Sequence, residues 1–86
     1  MYEVELSQNT QKFLDNLDTR IKEQIENSLK RLKNNPIPSS SKFIKRKDKE
    51  KIFRYRIGKY RALYLINEKT KIILISKIDK RPRVYD

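Results

Sequence analysis

Apolar and polar residues alternate at the start of the chain, where Glu3 and Glu5 separate Tyr2, Val4 and Leu6. A period of two sends successive side chains to opposite faces of an extended backbone, so this stretch predicts a short, half-buried strand that starts a sheet. Ser7 follows as the cap of a helix of about three turns, whose apolar patch is Phe13, Leu14 and Leu17. Asp18 and Thr19 interrupt it and cap a second helix. There Ile21, Ile25, Leu29 and Leu32 recur at steps of four, four and three, which is the stripe of a helix with one buried face. Lys22, Glu26 and Lys30 form opposite-charge neighbours on its outer side.

Residues 34–41 read NNPIPSSS and hold two of the chain's three prolines. Proline removes a backbone donor and cannot continue a helix, so the helix ends here in a connecting loop. From Lys42 the pattern changes to four strand-like runs, KFIKR, IFRYRI, YRALYLI and KIILISKI, with turn residues between the last three. The intervening KRKDKEK reads as a solvated loop. The nearly continuous apolar run KIILISKI suits a central strand, covered on both faces or on one face and by a partner. The predicted fold class is α+β: an N-terminal strand, a two-helix hairpin, then an antiparallel sheet of three to four strands. A chain of 86 residues suffices for one core and not two, so a single domain over 1–86 is expected.

The segment RYRIGKYRALY is the most informative. Gly58, the only glycine in the chain, suits the positive φ of a two-residue hairpin turn with Lys59. Counting outward pairs Ile57 with Tyr60, Arg56 with Arg61, Tyr55 with Ala62, Arg54 with Leu63 and Phe53 with Tyr64. Alternation then puts Phe53, Tyr55, Ile57, Tyr60, Ala62 and Tyr64 on one face and Arg54, Arg56 and Arg61 on the other. Like charges directly opposite one another cost a few tenths of a kcal/mol or more. A bound phosphate would reverse that cost, whereas the alternative is that these cations serve solubility and guard against edge aggregation.

Charge distribution favours the phosphate. The chain carries 22 Lys and Arg against 11 Asp and Glu, a formal charge of +11, and nucleic acid is the leading partner for such a balance. Between Lys42 and Arg61 alone stand ten basic residues against two acidic ones. Lys45, Arg46, Lys47, Lys49, Lys51, Arg56 and Lys59 are therefore expected to bind RNA backbone, steering it without reading sequence. There is no Cys and no His, which excludes disulfides, thiolate nucleophiles, ordinary zinc sites and a histidine acid/base pair. Asp48, Glu50, Glu68 and Asp79 are scattered, so no metal and no cofactor is expected. No apolar run reaches the roughly 18 residues that span a bilayer, and the start lacks a signal-peptide pattern. A soluble, non-exported, cytoplasmic protein with no membrane partner is expected.

The order of these segments, closing with KIILISK and KRPRVY, resembles the RelE/ParE toxin superfamily over essentially the whole chain. The sharpest elements are the arginine of YRALY and a late arginine followed closely by tyrosine, here Arg81 and Tyr85. The resemblance implies a compact, microbial-ribonuclease-like fold and a toxin of a type II toxin-antitoxin system. A RelE-like member would be an mRNA interferase, a metal-independent endoribonuclease that cleaves mRNA in the ribosomal A site. A ParE-like member would inhibit DNA gyrase by protein contact. A third class, a non-catalytic RNA-binding module, would bind RNA without cleavage.

Carried over to this sequence, the RelE pattern places catalytic or clamping roles at Arg61, Arg81 and Tyr85, with Arg54 at a position often filled by Lys and Arg56 and Arg83 as supporting cations. Ribonucleases use the substrate's own 2′-hydroxyl as nucleophile, and arginine forks suit the phosphoryl charge that develops. Arg54 stabilises charge but is a poor base, because arginine keeps its proton. Ile52 stands where some RelE toxins have a catalytic Lys. Tyr85, near Arg81 and Arg83, is then the candidate for proton transfer or for stacking on a base. The resemblance also implies a cognate acidic, RelB-like antitoxin, and a +11 domain with apolar residues beside its cations suits an acidic amphipathic chain that folds on binding.

Overall fold

Five strands form one sheet in the order β1-β5-β4-β3-β2, with two helices against one face. The computed structural model describes residues 1–80. Strand β1 (Glu3–Leu6) leads into α1 (Gln8–Asp15), α2 (Thr19–Lys30) and a 3₁₀ turn (Arg31–Lys33); β2 (Ser41–Lys47), β3 (Glu50–Ile57), β4 (Tyr60–Asn67) and β5 (Ile72–Lys80) follow. The last four strands are antiparallel neighbours, while β1 lies parallel to β5, Val4 beside Ile73 and Leu6 beside Ile75. The N-terminal strand thus makes β5 an interior strand.

The helices begin where side chains can satisfy their first amides. Ser7 Oγ accepts from the Thr10 N–H at 3.2 Å, and the Asp18 carboxylate accepts from the Arg20 N–H at 3.2 Å. Helix α1 is shorter than expected: it stops at Asp15, and Leu17 lies in the link to α2. The α2 stripe continues through the 3₁₀ turn to Leu32, and Ile25, Leu29 and Leu32 are buried with Leu14 against the sheet. Lys22 forms its ion pair with Asp15 of α1 at 2.9 Å, tying the two helices together on their exposed side. Such a surface pair contributes little to stability.

The sheet's side of the core is Phe53, Tyr55, Tyr60, Ala62, Tyr64, Ile66, Ile73, Ile75 and Ile78. Phe53 stacks on its cross-strand partner Tyr64 at 5.5 Å, and Phe43 meets Phe53 edge-on at 5.6 Å. The β3–β4 ladder has the register counted from Gly58, including Arg56 opposite Arg61. Gly58 has φ +57°, and a Cβ built there meets nothing within 4 Å. The cost of a side chain at this position is therefore backbone strain alone. Gly58→Ala is expected to destabilise by about 1–2 kcal/mol, lowering Tm by about 4–8 °C for each kcal/mol. Gly58→Asn, which tolerates this conformation better, should lose less in the same thermal unfolding experiment.

The KRKDKEK run is a hairpin and not a loop. Lys45, Arg46 and Lys47 end β2, Asp48 and Lys49 make the turn with Asp48 at φ +57°, and Glu50 and Lys51 begin β3. Asp tolerates the left-handed region because its short polar side chain bonds locally. Strand β2 is the exposed edge of the sheet, which is why it is charged.

A register shift between Leu63 and Tyr64 leaves Ser76 of β5 as an extra residue, so that Tyr64 faces Ile75 and Leu63 faces Lys77. Ser76 Oγ donates to the Leu63 carbonyl at 3.2 Å, and the buried Thr10 hydroxyl donates to the Ile75 carbonyl at 3.0 Å. The bulge returns Ile78 to the core and turns Lys77 and Asp79 to the opposite face. A bulge of this kind re-aims the side chains that follow it.

Candidate nucleic-acid interface

Among the described residues the helices cover one face only, which leaves the other face of the sheet open, and the register fixes what it carries. Lys42 pairs with Arg54, Arg54 with Leu63, and Leu63 with Lys77. The next row is Arg56, Arg61 and Asp79. A third row runs Lys45, Ile52, Leu65, Leu74 and Glu5. Cross-strand partners share a face, so cations occupy the end of the sheet nearest the β3–β4 turn and the β2 edge. Half-buried leucines and isoleucines fill the middle, and Glu3 and Glu5 lie on the β1 edge. A polyanion meets attraction on one side of this face and repulsion on the other.

At the cationic end the face sinks into a cavity of about 250 Å³ lined by Ser39, Ser40, Ser41, Lys42, Arg54, Arg56 and Arg61. Two arginines come from β3, one from β4 and the lysine from β2, so tight turns hold all four cations on adjacent rigid strands. Four cations around one cavity repel each other, and an anion with several acceptor oxygens relieves that repulsion while accepting hydrogen bonds from guanidinium groups.

The expected site residues separate into groups. Arg54, Arg56 and Arg61 converge on the cavity. Lys45 and Lys47 share their face further along β2 through pairing with Ile52 and Glu50. Arg46 and Lys51 pair with each other on the opposite, helix-side face, where Lys51 also contacts Glu68 at 3.4 Å. Lys49 sits exposed in the β2–β3 turn. Lys59 lines a different groove, between α2 and the β3–β4 turn, with Arg31 and Lys80. Arg81, Arg83 and Tyr85 lie outside the described residues. Lys42 and the three serines gain no role from the sequence pattern, which places them only in a strand and a loop. Proline followed by consecutive serines, directly before a basic strand, is the signal that marks them.

Two other tyrosines are poor proton acceptors. Tyr55 and Tyr64 face the helices, and burial pushes both phenols up, Tyr64 to about 12. Among the described residues no three Asp or Glu side chains gather closely enough to hold a metal ion.

Comparison with known proteins shows the family. A model of the ParE toxin of the type II toxin-antitoxin system parDE matches residues 4–85. A curated protein of Methanocaldococcus jannaschii, "Putative toxin RelE1", is 34% identical over 85 residues, which cover 98% of this chain and 94% of that protein. The crystal structure of the archaeal RelE-RelB complex from Pyrococcus horikoshii contains a chain that superposes with a TM-score of 0.86 at 26% identity, covering 95% of this chain and 97% of that one. The RelBE2 toxin-antitoxin complex from Mycobacterium tuberculosis contains another, at TM-score 0.77 and 26% identity over 93% and 98%.

Proposed function

The chain belongs to the RelE/ParE superfamily and is a toxin of a type II toxin-antitoxin system, and from that premise we propose that its open sheet face cleaves mRNA in the ribosomal A site. The observation that carries this reading is the convergence of Arg54, Arg56, Arg61 and Lys42 on one cavity. In the reaction the substrate's 2′-oxygen forms a bond to phosphorus while the bond to the 5′-oxygen breaks, leaving a cyclic phosphate and a 5′-hydroxyl. One proton leaves the 2′-hydroxyl and one reaches the departing oxygen. Arg61 and Arg54 hold the phosphoryl oxygens as negative charge grows on them, and Arg56 supports both. Arg81 and Tyr85 complete the site in this reading, the first as a second clamp and the second in proton transfer or stacking. The reaction needs no metal ion, because the guanidinium groups supply the charge. The cytoplasm is where such a toxin meets translating ribosomes. An acidic RelB-like antitoxin holds it inactive by masking the same cations and the apolar middle of the face.

The match to the ParE model favours a second reading, inhibition of DNA gyrase by protein contact. Induction of the chain in cells, with primer extension on a translated message, separates the two. Cleavage that depends on translation and disappears in Arg81→Ala and Tyr85→Phe is the expected outcome. Growth arrest with intact message would support gyrase, and growth without arrest or cleavage would sink both.

A further inference from the structure

The cavity on the open face has two unlike walls. One is cationic, from Lys42, Arg54, Arg56 and Arg61; the other is the turn at 39–41. That turn is fastened in three places. The Tyr64 hydroxyl donates to the Pro36 carbonyl at 2.8 Å, the Arg56 N–H donates to the Ser40 carbonyl at 3.2 Å, and Ser41 donates to the Pro38 carbonyl through both its hydroxyl, at 2.7 Å, and its N–H, at 2.9 Å. The Ser41 hydroxyl is thereby committed to the turn. Ser39 and Ser40 are exposed, and among the described residues no hydrogen bond engages either hydroxyl.

A serine hydroxyl rotates to offer one neutral donor, and one presented by a fixed backbone needs no rearrangement to use it. The geometry points to Ser39 and Ser40 as phosphate-positioning residues, whose hydroxyls donate to non-bridging oxygens of an RNA phosphodiester held by the arginines. Among the described residues no aromatic ring lines the cavity to stack on a base, and its charge comes from cations, so it takes backbone and not base. Neutral donors also add directional contact without adding to the repulsion between Arg56 and Arg61. This inference rests on the RNA-cleaving reading for its ligand.

Binding of a non-cleavable 2′-O-methyl oligoribonucleotide across a salt series tests it, with apparent KM and kcat for cleavage measured alongside. Ser39→Ala/Ser40→Ala should weaken binding by roughly tenfold, as expected for two neutral hydrogen bonds. The slope of log Kd against log salt should stay that of the wild type, because no charge is lost, whereas Arg54→Ala should flatten it. KM should rise with kcat within about twofold, and Ser39→Thr/Ser40→Thr, which keeps both hydroxyls, should restore binding. Lys69→Ala, in the distant β4–β5 turn, controls for general charge. Unchanged affinity in the alanine variant, a changed salt slope, or failure of threonine to rescue would each overturn the inference while leaving the cleavage reading standing. Should the binding pattern hold while the wild type cleaves no RNA on or off ribosomes, the cleavage reading falls and the phosphate site remains.

Discussion

Arg61→Ala is expected to lower translation-dependent mRNA cleavage by about 10²-fold or more while leaving the folded protein as stable as the wild type. The magnitude is that of removing one preorganised charge-stabilising donor from a transition state. Arg61 is suited to that role because β4 is an interior strand and its side chain is half-buried beside the cavity. A guanidinium so placed has little freedom to lose on meeting the phosphate. Arg61→Lys should recover only part of the activity, since an ammonium cannot reproduce the bidentate fork. Stability should scarcely change. Arg61 faces Arg56 across one ladder and Asp79 across the other, so its removal takes away one like-charge and one opposite-charge neighbour and should be close to neutral for stability. Arg46→Ala, whose side chain belongs to the opposite face, should change cleavage only a few-fold. Cleavage assays read against thermal unfolding of the same variants would check this. Equal losses for Arg61→Ala and Arg46→Ala would show that the chain uses bulk charge in place of a built site.

A large loss of activity with little change in stability at one residue is what a sheet face built for an anion should show. That face is legible in the sequence because two facts suffice to lay it out. One glycine marks the turn, and the period of two does the rest, so every β3–β4 pair follows by counting. The α2 stripe is legible for the same reason, its period and not any single residue. The β2–β3 hairpin is not, because lysine and arginine on an exposed edge strand have the composition of a solvated loop. Only Asp48 and Lys49, set between Phe43 and Ile44 on one side and Ile52 and Phe53 on the other, betray a two-residue turn. The β5 bulge is hidden too. Its trace is the spacing of Ile73, Ile75 and Ile78, two and then three, and its partners Thr10 and Leu63 are remote in sequence. The same remoteness conceals the cavity's second wall. Serines after a proline signal a turn, but what that turn faces is set only once Tyr64 and Arg56 fix it against the cations.

Tyr64 is where fold and site meet, and its replacement should have the largest effect on stability. The ring is fully buried, stacked on Phe53 and edge-on to Tyr55 at 6.1 Å. Tyr64→Ala should therefore cost about 3–5 kcal/mol, a large part of the roughly 5–15 kcal/mol that holds a domain folded. Tyr64→Phe keeps the ring and removes the phenol's bond to the Pro36 carbonyl and its contact with the Ser41 side chain, at about 1 kcal/mol. That smaller change should still weaken RNA binding, because it unfastens the loop that presents Ser39 and Ser40 to the cavity. The phenol also sets a pH dependence. Burial raises its pKa to about 12, above the unfolded value of about 10, so the native state favours the neutral form. Its contribution is complete below about pH 10 and is lost as pH rises through about 12. Denaturant unfolding of wild type and Tyr64→Phe between pH 8 and 12 should show the wild type losing more stability than the variant. If the two curves stay parallel across that range, the hydroxyl does not act as the buried fastener of the 36–41 loop.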